Sequence, residues 1–222
     1  MTRSKKTRTK FTDGLEPRHI RKMKQVRQEV AAEAARILAT EGQHNYHAAK
    51  KKAAERIGVS ERLALPSNIE VKDALLSYQA LYGGRAHHDN LDRLRSAAVQ
   101  AMQLLDDFQP RLVGSVLDGT ANHHSRVALH VFADAIETLV LFLLERGIAF
   151  DQQQRQIRWF NGEHRMVQVM VFELREVAVE MTVLDLLHLR QSPPSPIDGR
   201  PQHRASLPEV EMLLRGQTAQ EL

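Results

Sequence analysis

Residues 114–130, GSVLDGTANHHSRVALH, constrain the fold of this chain more than any other stretch. The residues on either side, 111–116 and 126–132, read as short β-strands, and Gly119 and Asn122 mark the loop between them. Gly114 and Ser115 close the first strand, where backbone N–H groups and a hydroxyl could cradle a phosphate. The plainer alternative is a strand-to-loop turn that needs a small residue. On the second strand, side chains two residues apart point to one face, so positions 126 and 128 look the same way. Two carboxylates so placed can bridge a pair of Mg²⁺ ions that hold a triphosphate and stabilise the attacking and leaving oxygens. Here the positions carry Arg126 and Ala128. A guanidinium cannot be deprotonated to suit a metal, and alanine offers no ligand.

Gly114, Ser115, Gly119, Ala121, Ser125 and Leu129 fall without a gap on a known pattern. They resemble the signature of the DNA polymerase β-like nucleotidyltransferase superfamily, in which Gly-Ser closes one strand and Ser-Asp-x-Asp-Leu opens the next. The resemblance covers about residues 108–190, and the whole chain is similar to small bacterial proteins described as nucleotidyltransferase-like. It implies an α+β fold with a mixed or antiparallel sheet and flanking helices. It also implies a nucleotide site made of Gly114, Ser115, Gly119, Thr120, Ser125 and Arg126. The superfamily's third carboxylate comes from a later strand, and Glu180 in VAVEMTVL matches it by position as the weak catalytic candidate. With one carboxylate left, the expectation is a catalytically degenerate protein that binds nucleotide or RNA in a regulatory role, without metal or other cofactor. Arg126 either meets phosphate directly or points to solvent. Two rivals stand beside this reading. One is an active, Mg²⁺-dependent transferase using a displaced set, Asp118, Asp134 and Glu180. The other is a protein–protein adaptor whose cleft is filled by side chains.

Four helices are expected ahead of this core. Residues 18–40 place Ile20, Met23, Val30, Ile37 and Leu38 near one stripe with alanines between them, and Gly42 stops the helix. A second helix spans 44–57, ending at Gly58. A third, capped by Asn68, runs to 82, and a fourth follows a Gly83-Gly84 turn from about 89. After Pro110 the order is strand, strand, helix over 134–145, short strands over 148–150 and 156–159, an Asn161-Gly162 hairpin turn, and longer strands over 166–172 and 177–184. The organisation expected is a disordered basic leader (1–17), a helical region (18–107), the nucleotidyltransferase-like core (108–190) and a proline-rich tail (191–222). In the tail, Asp198-Gly199-Arg200-Pro201 could turn the chain back to the sheet. Ser206 and Glu209 have capping-box spacing for a short last helix.

Charge is uneven. Ten Lys or Arg residues lie between Arg3 and Arg27 against Asp13 and Glu16, and Lys50, Lys51 and Lys52 follow. Such asymmetry favours a polyanion, and Arg18, Arg21, Lys22, Lys24, Arg27, Lys50, Lys51 and Lys52 are the candidate RNA or DNA contacts. A solvated leader and helix face are the equal alternative for the first residues. The longest apolar run, residues 139–144, is far short of a membrane span, and there are no cysteines for disulfides, thiolate metal sites or a thiol nucleophile. Cytoplasm is the default location. His87-His88 and His123-His124 with His130 suggest Zn²⁺ only weakly, because adjacent residues rarely converge on one ion. Trp159 and Phe160 are expected to pack a sheet face. No P-loop, Gly-x-Gly-x-x-Gly or Gly-x-Ser-x-Gly motif occurs.

Overall fold

The computed structural model describes residues 18–43, 45–60 and 65–216, so the leader expected to be disordered lies outside the described residues. The fold is α+β. Helices α1 (Arg18–Thr40), α2 (Tyr46–Ile57), α3 (Asn68–Tyr82) and α4 (Gly84–Leu104) precede the sheet. The strands are β1 (Arg111–Val113), β2 (Val127–Phe132), β3 (Phe150–Arg158), β4 (His164–Leu174) and β5 (Val177–Leu184). Helix α5 (Ser115–Asp118) joins β1 to β2, α6 (Ile136–Glu145) follows β2, and α7 (Leu207–Leu214) closes the described chain. The five strands lie in the order β1-β2-β5-β4-β3, with β2 parallel to β5 and every other neighbour antiparallel.

The alanines of α1 are small enough for close helix packing. Val30, Ala34, Ala35 and Ile37 bury fully against Ala49, Ala53 and Ala54 of α2 and Val71 of α3. Asn45 caps α2 by accepting from the N–H groups of His47 and Ala48. The cap of α3 is Ser67, one residue before the expected Asn68. Its Oγ accepts the Glu70 N–H, and the Glu70 carboxylate accepts the Ser67 N–H at 2.7 Å. Gly83-Gly84 forms the expected turn, a tight one in which Gly84 takes φ 52°. Gly83 stays right-handed, its N–H donates to Gln79 O at 2.8 Å, and α4 begins at once, five residues before the expected start. A Cβ on Gly83 would stand 2.5 Å from that carbonyl, so only glycine passes. Leu91, Leu94, Ala98, Ala101 and Met102 of α4 enter the core of the sheet, which places α4 with the sheet rather than with the first three helices.

One face of the sheet, carrying Val127, Leu129, Val131, Val179, Met181 and Met170, packs against α4 and α6. The alternate side chains Ala128, His130, Glu180 and Thr182 point to the other face. Strand β1 is shorter than expected because Gly114 takes φ 74°, ψ −152°, a conformation essentially reserved to glycine, and turns the chain into α5. Strand β3 is one nine-residue strand rather than two short ones; its pairing runs unbroken from Phe150↔Phe172 to Arg158↔His164. Asn161-Gly162 closes that hairpin as expected. The β4–β5 turn uses Arg175 and Glu176 at φ 47° and 64°, left-handed at both positions without glycine. The tail returns to the sheet: Pro194 bridges Pro201, and Ala205 exchanges two 2.9 Å hydrogen bonds with Leu112 of β1. The Ser206/Glu209 capping box then opens α7.

Candidate functional site

A cleft of about 720 Å³ lies on the sheet face turned away from α4 and α6. Its floor is Ala128, His130, Glu180 and Thr182. Val113 and Gly114 bound one end, β3 supplies Arg155, Ile157 and Arg158, and Trp159 and Phe160 follow at the hairpin. The opposite wall is the returning tail, including Pro193, Pro194, Pro196 and Gln202. The cleft is therefore open beside Gly114 and Ala128.

Parallel pairing of β2 with β5 sets Glu180 directly beside Ala128. No second carboxylate lines this cleft. Instead Arg155 Nη1 donates to Glu180 Oε1 at 2.7 Å and Arg126 Nη1 stands 3.6 Å from Oε2. The hydrogen bond to Glu180 holds the Arg155 pKa above its usual value. Glu180 is only 15% exposed, whereas Arg126 and Arg155 keep 54% and 47% of their side-chain surface open. Two guanidinium groups thus meet one carboxylate, and Arg158 lines the cleft nearby. Such an arrangement suits an anion, since guanidinium groups give paired, charge-assisted hydrogen bonds to phosphate.

The displaced carboxylate set is not brought together. Asp118 is held by Lys72 Nζ at 2.8 Å, and Asp134 is exposed and lines a separate depression with Met166 and His188. Among the described residues, no group of three His, Asp or Glu side chains stands close enough to hold a metal ion.

The six expected nucleotide contacts divide. Gly114 lines the cleft and Arg126 reaches Glu180. Ser115 opens α5, where its carbonyl accepts the Thr120 N–H at 2.9 Å. Gly119, Thr120 and Ser125 turn toward the helices instead. Gly119 O meets His87 Nε2, Thr120 O accepts from Gln79 Nε2 at 3.0 Å, and Ser125 Oγ accepts the Asn122 N–H at 2.9 Å. Asn122 in turn donates to Leu38 O at 2.7 Å, tying the loop to the end of α1. Those residues dock the loop, and their side chains do not line the cleft.

Within the floor, His130 is 3% exposed, and its Nδ1 accepts from Arg204 Nε at 3.0 Å. Burial, followed by the Arg204 charge, pushes its pKa down to about 3, so it is neutral. Burial also lowers Arg204, to about 10, with Arg111 adding to the effect. Arg204 Nη1 donates to His188 O at 2.6 Å, and the His188 ring meets Trp159 edge-on at 4.7 Å. Trp159 is thus a packing residue, as expected, while Phe160 remains 45% exposed at the cleft.

The basic candidates are also divided. Arg27 is bound to Glu70, Lys52 to Glu41, and Lys50 to Pro66 O and Asn68 Oδ1, with burial lowering the Lys50 pKa. Arg21 and Lys51 are exposed and engaged elsewhere. Lys22 and Lys24 project from the exposed face of α1. Arg18 opens that helix. Sequence reasoning missed Arg155, because its approach to Glu180 is made by strand register and by no local motif. No helix among the described residues is long and apolar enough to cross a membrane. No family model and no curated protein matches this sequence.

Proposed function

We propose that this chain is a degenerate nucleotidyltransferase-like protein that binds a nucleoside phosphate in the cleft without a divalent metal and without transferring it. The observation that carries the reading is the pair Arg126 and Arg155 on Glu180, with Arg126 at one of the positions where the resemblance would put a metal-binding carboxylate. In this reading the arginines meet the phosphate charge that Mg²⁺ would neutralise. Each charge-assisted hydrogen bond contributes about 1.5–3 kcal/mol. The exposed Phe160 ring provides a surface for the base, and a volume of about 720 Å³ suits a ligand of nucleotide size. An open cleft weighs against an adaptor with a filled site. The separation of Asp118, Asp134 and Glu180 weighs against a displaced two-metal centre.

The test has two arms. Titration of each common NTP in EDTA, followed through Trp159, should give saturable binding of at least one. Labelled NTP with Mg²⁺ or Mn²⁺ should show no transfer to protein or RNA. Turnover abolished by Glu180→Ala would overturn the reading in favour of an active enzyme.

A further inference from the structure

We infer that β3 pairs, antiparallel and about a two-fold axis at Gln153, with β3 of a second copy of this chain. The two edges of the sheet are treated differently. At the β1 edge the chain's own tail adds Ala205 to Leu112 through two hydrogen bonds. The β3 edge carries no such strand among the described residues, although it is three times as long. Seven of its nine residues are exposed. Natural sheets blunt an open edge with a short strand, a bulge, proline or charged side chains, lysine above all. Strand β3, FDQQQRQIR, has no proline or lysine, and its register with β4 contains no bulge. Its outer backbone N–H and C=O groups form a straight template for another strand.

The side chains favour a second copy in one register. An axis at Gln153 sets Asp151 of each copy opposite Arg155 of the other, so one ion pair is made twice. Asp151, Gln153 and Arg155 share a face, because side chains alternate along a strand. Arg155 gives Nη1 to Glu180, and of its remaining donors, Nε and Nη2, one can meet the facing carboxylate while the other stays available to a ligand in the cleft. On the other face Gln152 meets Gln154, and amides can donate and accept in both directions. Moving the axis to Gln154 would set Asp151 against Ile157 and Arg155 against Gln153, losing both ion pairs. The pairing makes one continuous sheet with both clefts on the same side.

The absence of cysteine from the chain makes the test direct. Directly opposed Cα atoms in an antiparallel pair stand about 4.5–5.5 Å apart, within disulfide reach. Under mild oxidation Gln153→Cys should therefore form a covalent dimer much faster than Glu145→Cys, which places a thiol at an exposed site on α6. Light scattering of the wild type at about 100 μM should give a mass near twice 25.2 kDa. Asp151→Arg, which sets arginine against arginine twice, should weaken the dimer roughly tenfold or more, about 1.4 kcal/mol. A wild-type monomer at that concentration would overturn the inference. So would a dimer in which Cys at 153 cross-links no faster than Cys at 145.

Discussion

Acid should unfold this protein earlier than its carboxylates require, through His130. In the folded chain His130 is 3% exposed and accepts from Arg204, and its pKa is held down to about 3. In the unfolded chain the imidazole returns to about 6.5. Below pH 6.5 the unfolded state therefore binds a proton that the folded state refuses, and stability falls as pH falls. It is whole above pH 6.5 and declines progressively toward pH 3. At about 1.36 kcal/mol per unit of difference, the loss reaches roughly 3 kcal/mol by pH 4 and 4–5 kcal/mol at the limit. That is a large part of the roughly 5–15 kcal/mol that holds a domain folded. Asn at 130 retains an acceptor near the Nδ1 position but does not titrate. Urea unfolding can be followed through Trp159, the single tryptophan, which is 7% exposed. The wild type should lose about 1 kcal/mol more per pH unit than His130→Asn between pH 6 and 4.5. Glu33, Glu70 and Glu209, whose pKa values are lowered in the fold, contribute equally to both proteins and cancel in the difference. Parallel loss of stability in the two proteins across that range would refute the assignment of His130 as a buried neutral acceptor.

Asn122→Ala should cost about 2–4 kcal/mol in urea unfolding, because it strands the buried Leu38 carbonyl and removes the acceptor of the His124 N–H. Replacing Arg175-Glu176 by Asn-Gly should stabilise by about 1–2 kcal/mol, since both positions are left-handed and Asn-Gly is the favoured pair for such a turn. A lowered midpoint would argue against that backbone. Reversing Lys22 and Lys24 to Glu should reduce any nucleic-acid affinity and flatten its salt dependence, whereas Lys50→Ala should act on stability, because its ammonium is bound inside the fold. Electrophoretic shifts at several salt concentrations separate the two, and an equal effect on binding from Lys50→Ala would contradict the division.

Much of the fold was legible because the signals were local. The stripe of α1 from Val30 onward, the stop at Gly58, the Asn161-Gly162 turn and the Ser206/Glu209 box each depend on residues a few positions apart and are found in place, whereas Ile20 and Met23, expected on the same stripe, are exposed. Glu180 was legible too, since its strand is marked by β-branched alternation and its neighbour Ala128 by the 114–130 pattern. Strand β3 was obscured by its own exposure. Without a buried face, Gln152, Gln153 and Gln154 leave no apolar alternation to read. The loop residues Gly119, Thr120 and Ser125 were assigned to the cleft by their spacing, but spacing does not fix direction, and Asn122 and Gln79 draw the loop to the helices. Arg155 reaches Glu180 through two hairpin registers. From the Asn161-Gly162 turn, Arg155 falls opposite Val167; from the Arg175-Glu176 turn, Val171 falls opposite Glu180. Parity along β4 then puts Arg155 and Glu180 on one face, so counting from both turns could have found the pair. In the basic cluster, Glu41 and Glu70, distant in sequence from Lys52 and Arg27, pair with them only once the helices pack, which local spacing does not show.

The central claim is that arginines stand in for metal at this cleft, and calorimetry with one NTP tests it most directly. Titrations of wild type, Arg126→Ala and Arg155→Ala, each in EDTA and in Mg²⁺, should show wild-type binding in EDTA that Mg²⁺ does not strengthen. Each variant should lose roughly 10- to 100-fold in affinity, as expected for one charge-assisted contact of about 1.5–3 kcal/mol. Binding that requires Mg²⁺, or that survives both substitutions unchanged, would contradict the account.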